Sequence, residues 1–144
     1  MKIKKPKVYI LASTQLSNGF EDFLKDNNIK WRPDNDISPA EALTELSGRM
    51  CYESWSKEDG TFDNKNISKV REGNDVYIRN VIKSGHGSVL EHSTVTFLFN
   101  NVTRVFTHEL VRHRVGTAFS QSSGRYIRSN DISLYIPEII QENY

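Results

Sequence analysis

Ser93–Arg114, STVTFLFNNVTRVFTHELVRHR, changes its hydrophobic period halfway along. Val95, Phe97 and Phe99 alternate with Thr94, Thr96 and Leu98, which predicts a strand. Asn100-Asn101 breaks the alternation. Val102, Val105 and Phe106 follow at helical spacing, with Val111 as a further candidate, predicting a helix over 102–114 with these residues facing inward. Strand and helix signals along the chain come in mixed order rather than as regular βαβ units, so the class expected is α+β.

Upstream, Val8–Ala12 reads as a first strand after a basic lead-in, because its apolar run is shorter than the ~7–15 residues of a signal-peptide core. Ser38-Pro39-Ala40-Glu41 carries an N-cap, a proline at the first helical position and the glutamate of a capping box. Leu43, Leu46 and Met50 mark the expected buried face of that helix. Residues 54–67 read as a polar loop. A second helix is expected over 68–84, burying Val70, Val76 or Tyr77, Val81 and Ile82, with Gly85 ending it in a left-handed conformation. Further on, 124–129 (GRYIRS) reads as a strand, and Pro137 opens a short final helix. No repeat, low-complexity tract or linker interrupts the chain, and one domain over 1–144 is expected.

A net charge of +1 disfavours bulk attraction to nucleic acid or an anionic membrane, so anion binding must be local. No stretch approaches the ~20 apolar residues of a membrane span. The single cysteine, Cys51, forms no internal disulfide and is expected to be a small buried residue; a lone thiol suits a reducing compartment, and the cytoplasm is the expected location. All ten lysines lie at or before Lys83, whereas Ser84–Asn130 holds Arg104, Arg112, Arg114, Arg125 and Arg128 against two acids, Glu91 and Glu109. Arginine presents a planar fork matched to phosphate or carboxylate. The chemistry is therefore expected in the second half.

Leu110–Tyr126, LVRHRVGTAFSQSSGRY, concentrates that charge. Residues two apart on a helix point roughly 200° from one another. Arg112 and Arg114 thus address different groups, or the helix ends here, as Gly116 permits. Glu109 is the plausible partner of Arg112. Beyond the triplet, hydroxyls, backbone amides, Gly124 and Arg125 make a phosphate-binding turn. His86 and His92, or His108 and His113, lack the spacing of a chelating pair, and no metal is expected. Trp31, Trp55, Phe97 and Phe99 read as core or interface. Neither serine of the turn has the surroundings of a nucleophile.

Together, GRMCYESW (48–55), GHGSVLEH (85–92), HELVRHR (108–114) and SSGRY (122–126) resemble the flavin-dependent thymidylate synthases in the same order from about Arg49 to Tyr126. Arg112-His113-Arg114, seven residues and Ser122 satisfy the family's signature spacing. The resemblance implies an α+β fold with a central, mostly antiparallel sheet and flanking helices. It implies an enzyme that methylates dUMP to dTMP reductively, with methylenetetrahydrofolate as carbon donor, FAD as hydride carrier and NADPH as reductant. By the same mapping His86, Ser88, Arg112, His113 and Arg114 contact FAD. Glu109, Arg112, Ser122, Ser123, Gly124 and Arg125 line the dUMP site, with Arg112, Ser122 and Ser123 as the catalytic candidates. A homotetramer with active sites assembled from several subunits is implied, with no membrane or nucleic-acid partner.

Two positions depart from the family pattern. The serine turn is one residue long, so Ser122 fits the count from Arg114 and Ser123 the count back from Arg125. Glu109 stands where the family usually has a glutamine, and an ionised carboxylate only accepts hydrogen bonds. The family also continues past the position of Tyr144 with a helical portion, so the chain is expected to correspond to the family's N-terminal and central part. A catalytically impaired nucleotide- or nucleic-acid-binding homologue, or one part of a split enzyme, are the rival readings.

Overall fold

The structure, a computed structural model, describes residues 2–127, 133, 134, 136, 137 and 140. Its elements are β1 (Lys2–Ile3), β2 (Lys7–Ser13), α1 (Asn18–Asp26), α2 (Pro39–Tyr52), α3 (Asn74–Lys83), a 3-10 helix (Gly87–His92), β3 (Val95–Asn100), α4 (Arg104–Leu110) and β4 (Ser133–Leu134). The class is α+β. Strands β2 and β3 pair; the Thr14 amide donates to the Thr94 carbonyl at 3.1 Å, and the Asn101 side chain reaches the Lys5 carbonyl at 3.2 Å, so they run antiparallel. β1 and β4 pair in parallel. The chain forms two compact units, residues 12–96 and residues 1–11 with 97–144.

The core of unit 12–96 joins two helices that the sequence marks unequally. In α2 the capping box forms as expected: the Ser38 hydroxyl accepts from the Glu41 amide at 3.3 Å, and the Glu41 carboxylate accepts from the Ser38 amide at 2.8 Å. The helix α1 was not foreseen. It buries Phe20 and Leu24, which pack with Ile29, Ala42, Leu46 and Trp55. Removing each of Phe20, Leu24, Ile29 and Leu46 from water stabilises the unit by about 1.5–3 kcal/mol.

All three α-helices of this unit end in the same way. A left-handed residue (Asn28, Glu53 or Gly85) donates back three residues, and the next amide donates back five: Ile29 to Leu24, Ser54 to Arg49, His86 to Val81. This is the Schellman closure. At the first, Leu24 and Ile29, both fully buried, supply its usual apolar contact. Gly85, with φ of 71°, occupies its expected position without steric cost.

Several expectations on this unit fail. The expected face of α2 is only partly right: Leu46 is buried, but Leu43 is half-buried and Met50 is 51% exposed. The positions turned inward instead hold Glu45 and Arg49, so the buried stripe is polar where periodicity of apolar residues sought it. Cys51, expected to be buried, is exposed on the same helix. α3 begins at Asn74 rather than Ser68, with Gly73 as its N-cap and 68–73 in irregular structure. It buries Tyr77 and Val81; Val76 and Ile82 are exposed, and Val70 is half-buried before it. Trp55 is buried, as expected.

β2 and β3 form as expected, but α4, in the other unit, is shorter than 102–114. Its apolar residues do not face inward: α4 buries none, and Val105 is 76% exposed. Residues 124–126 form a turn, not the start of a strand. Ile127 carries no regular structure and 128–129 lie outside the described residues, as does most of the helix expected from Pro137, of which the Ile140 amide donates to the Pro137 carbonyl at 2.9 Å.

Two hydrogen bonds to Ser38 hold the Glu41 carboxyl below the ordinary glutamate value of 4.5, the backbone one first. A lowered folded value means stability that is complete above 4.5 and is lost as pH falls through that lowered value. Ser38→Ala is therefore expected to cost about 1 kcal/mol near neutral pH. Urea denaturation of wild type and variant at falling pH should show the difference shrinking below 4.5.

Candidate functional site

The basic triplet leaves the helix before it can follow helical geometry. Thr103 caps α4, its hydroxyl accepting from the Phe106 amide at 3.1 Å. After Leu110 the bonds shorten in span: Arg112 donates to the Glu109 carbonyl, His113 to Leu110 and Arg114 to Arg112. Such tightening is a common way to satisfy the last carbonyls of a helix. Gly116 follows with φ of 69°, and the Thr117 hydroxyl donates to the His113 carbonyl. Arg112 and Arg114 are thus placed by a turn, the second of the two arrangements the spacing allowed.

The chain then returns along α4. The Gln121 side-chain amide donates to the Thr107 hydroxyl at 2.7 Å, and the Arg104 guanidinium donates to the Ser122 carbonyl at 2.8 Å. The two serines part company here. The Ser123 hydroxyl accepts from the Arg125 amide at 3.2 Å, and its carbonyl accepts from the Ile127 amide at 3.1 Å. Among the described residues the Ser122 hydroxyl has no hydrogen-bond partner. Glu109 and Arg112 form an ion pair at 3.5 Å, with both side chains about 70% exposed or more. Solvent screening leaves such a pair weak, so Arg112 stays available to a ligand. Arg112, His113, Arg114, Ser122, Gly124 and Arg125 are all exposed, and Ser123 is half-buried.

His86 and Ser88 belong to the other unit, residues 12–96, at the start of the 3-10 helix. Both are exposed. The His86 ring stacks on Tyr52, with centroids 5.7 Å apart and planes 23° apart, and Nδ1 lies 3.4 Å from the Tyr52 hydroxyl. Beside them opens a cleft of about 670 Å³, whose wall includes Val70, Arg71, Tyr77 and Val81.

Beneath the cleft lies a polar cluster that apolar periodicity does not reveal. Arg49 is fully buried and pairs with Glu45 at 2.6 Å. Its other donors reach the Ser54 carbonyl and the Arg71 carbonyl, each at 2.7 Å. Glu45 also accepts from the Asn74 amide group at 2.8 Å and the Trp31 indole at 3.0 Å. The guanidinium lies over Tyr77 at 4.5 Å and Trp31 at 5.2 Å. Burial, the first cause, raises the Tyr77 hydroxyl above its ordinary value of 10.0. The available signal was the Glu45/Arg49 spacing, four apart on a helix. Among the described residues no group of three or more His, Cys, Asp or Glu side chains is arranged to hold a metal, and no helix is long and apolar enough to cross a membrane.

Residues 35–144 match the family described as thymidylate synthase complementing protein, and the chain belongs to that family. It is 38% identical over 137 residues to the flavin-dependent thymidylate synthase of Mycobacteroides abscessus, covering 95% of this chain and 47% of that protein. It is 40% identical over 131 residues to that of Mycobacterium avium, covering 91% of this chain and 45% of that protein. The chain spans about half the length of the curated relatives it matches.

The return loop depends on Arg104. Arg104→Ala is expected to speed amide exchange at Arg125 and Ile127, while global stability changes by no more than about 0.5 kcal/mol. Hydrogen exchange read by mass spectrometry checks this; unchanged protection at both amides would mean the turn holds itself.

Proposed function

We propose that this chain forms part of an enzyme that converts dUMP to dTMP by reductive methylation. The carbon donor is methylenetetrahydrofolate; FAD, when bound, supplies the hydride chemistry, and NADPH restores it. The observation that carries this reading is an exposed Arg112-His113-Arg114 turn, followed by a turn of hydroxyls and amides, in a chain of this family.

The residues fit a phosphorylated cofactor and substrate. Among the described residues, Arg112 and Arg114 project from a turn with only one weakly held carboxylate, Glu109, beside them, which leaves their forks open to a diphosphate or phosphate. His86, Ser88, Arg112, His113 and Arg114 would hold FAD. Ser122, Ser123, Gly124 and Arg125 would hold the nucleotide, with Arg112 stabilising negative charge that develops on the pyrimidine carbonyl. The Ser122 hydroxyl, which has no partner among the described residues, is favoured over Ser123 for direct contact with dUMP, because Ser123 is already engaged by the Arg125 amide. Glu109, only weakly paired with Arg112, would share the substrate site with it.

We infer a homotetramer acting in the cytoplasm. The exposed apolar side chains of β2, β3 and α4, among them Ile10, Leu11, Phe97 and Val105, support a covered surface in the assembly.

Titration of this chain with FAD, followed by flavin fluorescence, tests the reading. Wild type should bind, and Arg112→Ala or Arg114→Ala should weaken binding by about 10- to 100-fold, the range for a charge-assisted hydrogen bond. No FAD uptake by the wild-type chain, or binding indifferent to both substitutions, would overturn it.

A further inference from the structure

His86 is exposed, yet its ring has a built-in partner. Tyr52 is the last residue of α2, and the Schellman closure just after it fixes the direction in which the chain leaves the helix. Two residues further, the Ser54 carbonyl accepts from the buried Arg49, and the Tyr52 carbonyl itself accepts from the Asn64 side chain at 2.7 Å. The other ring is anchored as firmly: the His86 amide closes the end of α3 on the Val81 carbonyl at 3.1 Å, immediately after left-handed Gly85. Two helix ends, both tied to buried groups of one unit, therefore bring the rings together.

Their contact has two parts. The rings stack, and the phenol oxygen lies 3.4 Å from Nδ1. A phenol O–H is a better donor than an imidazole N–H, and an unprotonated imidazole nitrogen is a better acceptor than a phenol oxygen. The hydroxyl therefore donates to Nδ1, which leaves the ring proton on Nε2. Stacking sets the plane of the imidazole, and the hydrogen bond sets its rotation and tautomer. The outer nitrogen, Nε2, is then the donor.

We propose that Tyr52 is a positioning residue for His86: it holds the imidazole as the Nε2–H tautomer, oriented to donate one hydrogen bond from Nε2 to a bound ligand. That this ligand is the flavin or a substrate lying against it rests on the function proposed above. The tautomer does not depend on that function.

The test separates the two. In protein carrying ¹⁵N-labelled histidine, long-range proton–nitrogen correlation reads which ring nitrogen holds the proton, with His86→Gln assigning the signals. In the neutral ring of wild type the proton should sit on Nε2, and Nδ1 should show the shift of a hydrogen-bond acceptor. Tyr52→Phe keeps the stacked ring and removes the hydroxyl. It should move the Nδ1 signal and weaken FAD binding about three- to tenfold, as expected for one lost hydrogen bond. Tyr52→Ala removes the stack as well and should weaken it further. A proton on Nδ1 in wild type, or identical His86 nitrogen shifts in wild type and Tyr52→Phe, would overturn the proposal. If the shifts move as described while FAD affinity stays constant, the tautomer assignment holds and the assignment of His86 to the flavin fails.

Discussion

The buried Glu45–Arg49 pair is the constraint around which residues 12–96 are arranged. Two charges with side chains only 1% and 2% exposed would be costly apart, and the structure answers with a dense set of partners. Arg49 donates to Glu45, to the Ser54 carbonyl and to the Arg71 carbonyl; Glu45 accepts from Asn74 and Trp31. One pair on one helix thereby gathers α2, the loop after it, the segment before α3 and the first residue of α3. An irregular stretch such as 68–73 has few backbone bonds of its own, so this tether substitutes for regular structure there.

From that cluster the chemistry is carried outward by helix ends. Left-handed closures at Glu53 and Gly85 aim Tyr52 and His86 at each other, and the tightened last turn of α4 releases Arg112 and Arg114 from helical geometry. In each unit some candidate ligand-binding residues, His86 in one and Arg112–Arg114 in the other, sit just past an α-helix C-terminus. There free carbonyls and irregular backbone let side chains be aimed one by one, which a continuing helix does not permit.

Much of this was legible in the residues. The capping box at Ser38, the strand at Val95 and the left-handed turn at Gly85 each have a local chemical cause, and each appeared where expected. The linked motifs from Arg49 to Tyr126 pointed to the family that the comparison establishes. The failures share a physical origin as well. Periodicity of apolar residues assigns inward faces, so it misplaced the inward face of α2, which carries Glu45 and Arg49. It also turned Val105 inward, although that side chain is 76% exposed. Glu53 in a left-handed conformation carries no sequence signal, because side chains other than glycine and asparagine rarely adopt it. Which serine of the turn is engaged depended on one hydrogen bond, from the Arg125 amide to Ser123, and spacing alone held both open.

The central structural claim is that the charges of Glu45 and Arg49 are held for each other, and a double-mutant cycle measures it most directly. Glu45→Gln and Arg49→Met, alone and combined, would be compared with wild type by urea denaturation. Each single change leaves a buried charge without its partner and should cost about 3–5 kcal/mol. The double variant should be destabilised by much less than the sum of the two. Additive losses would mean that the two charges do not depend on each other, contradicting the account.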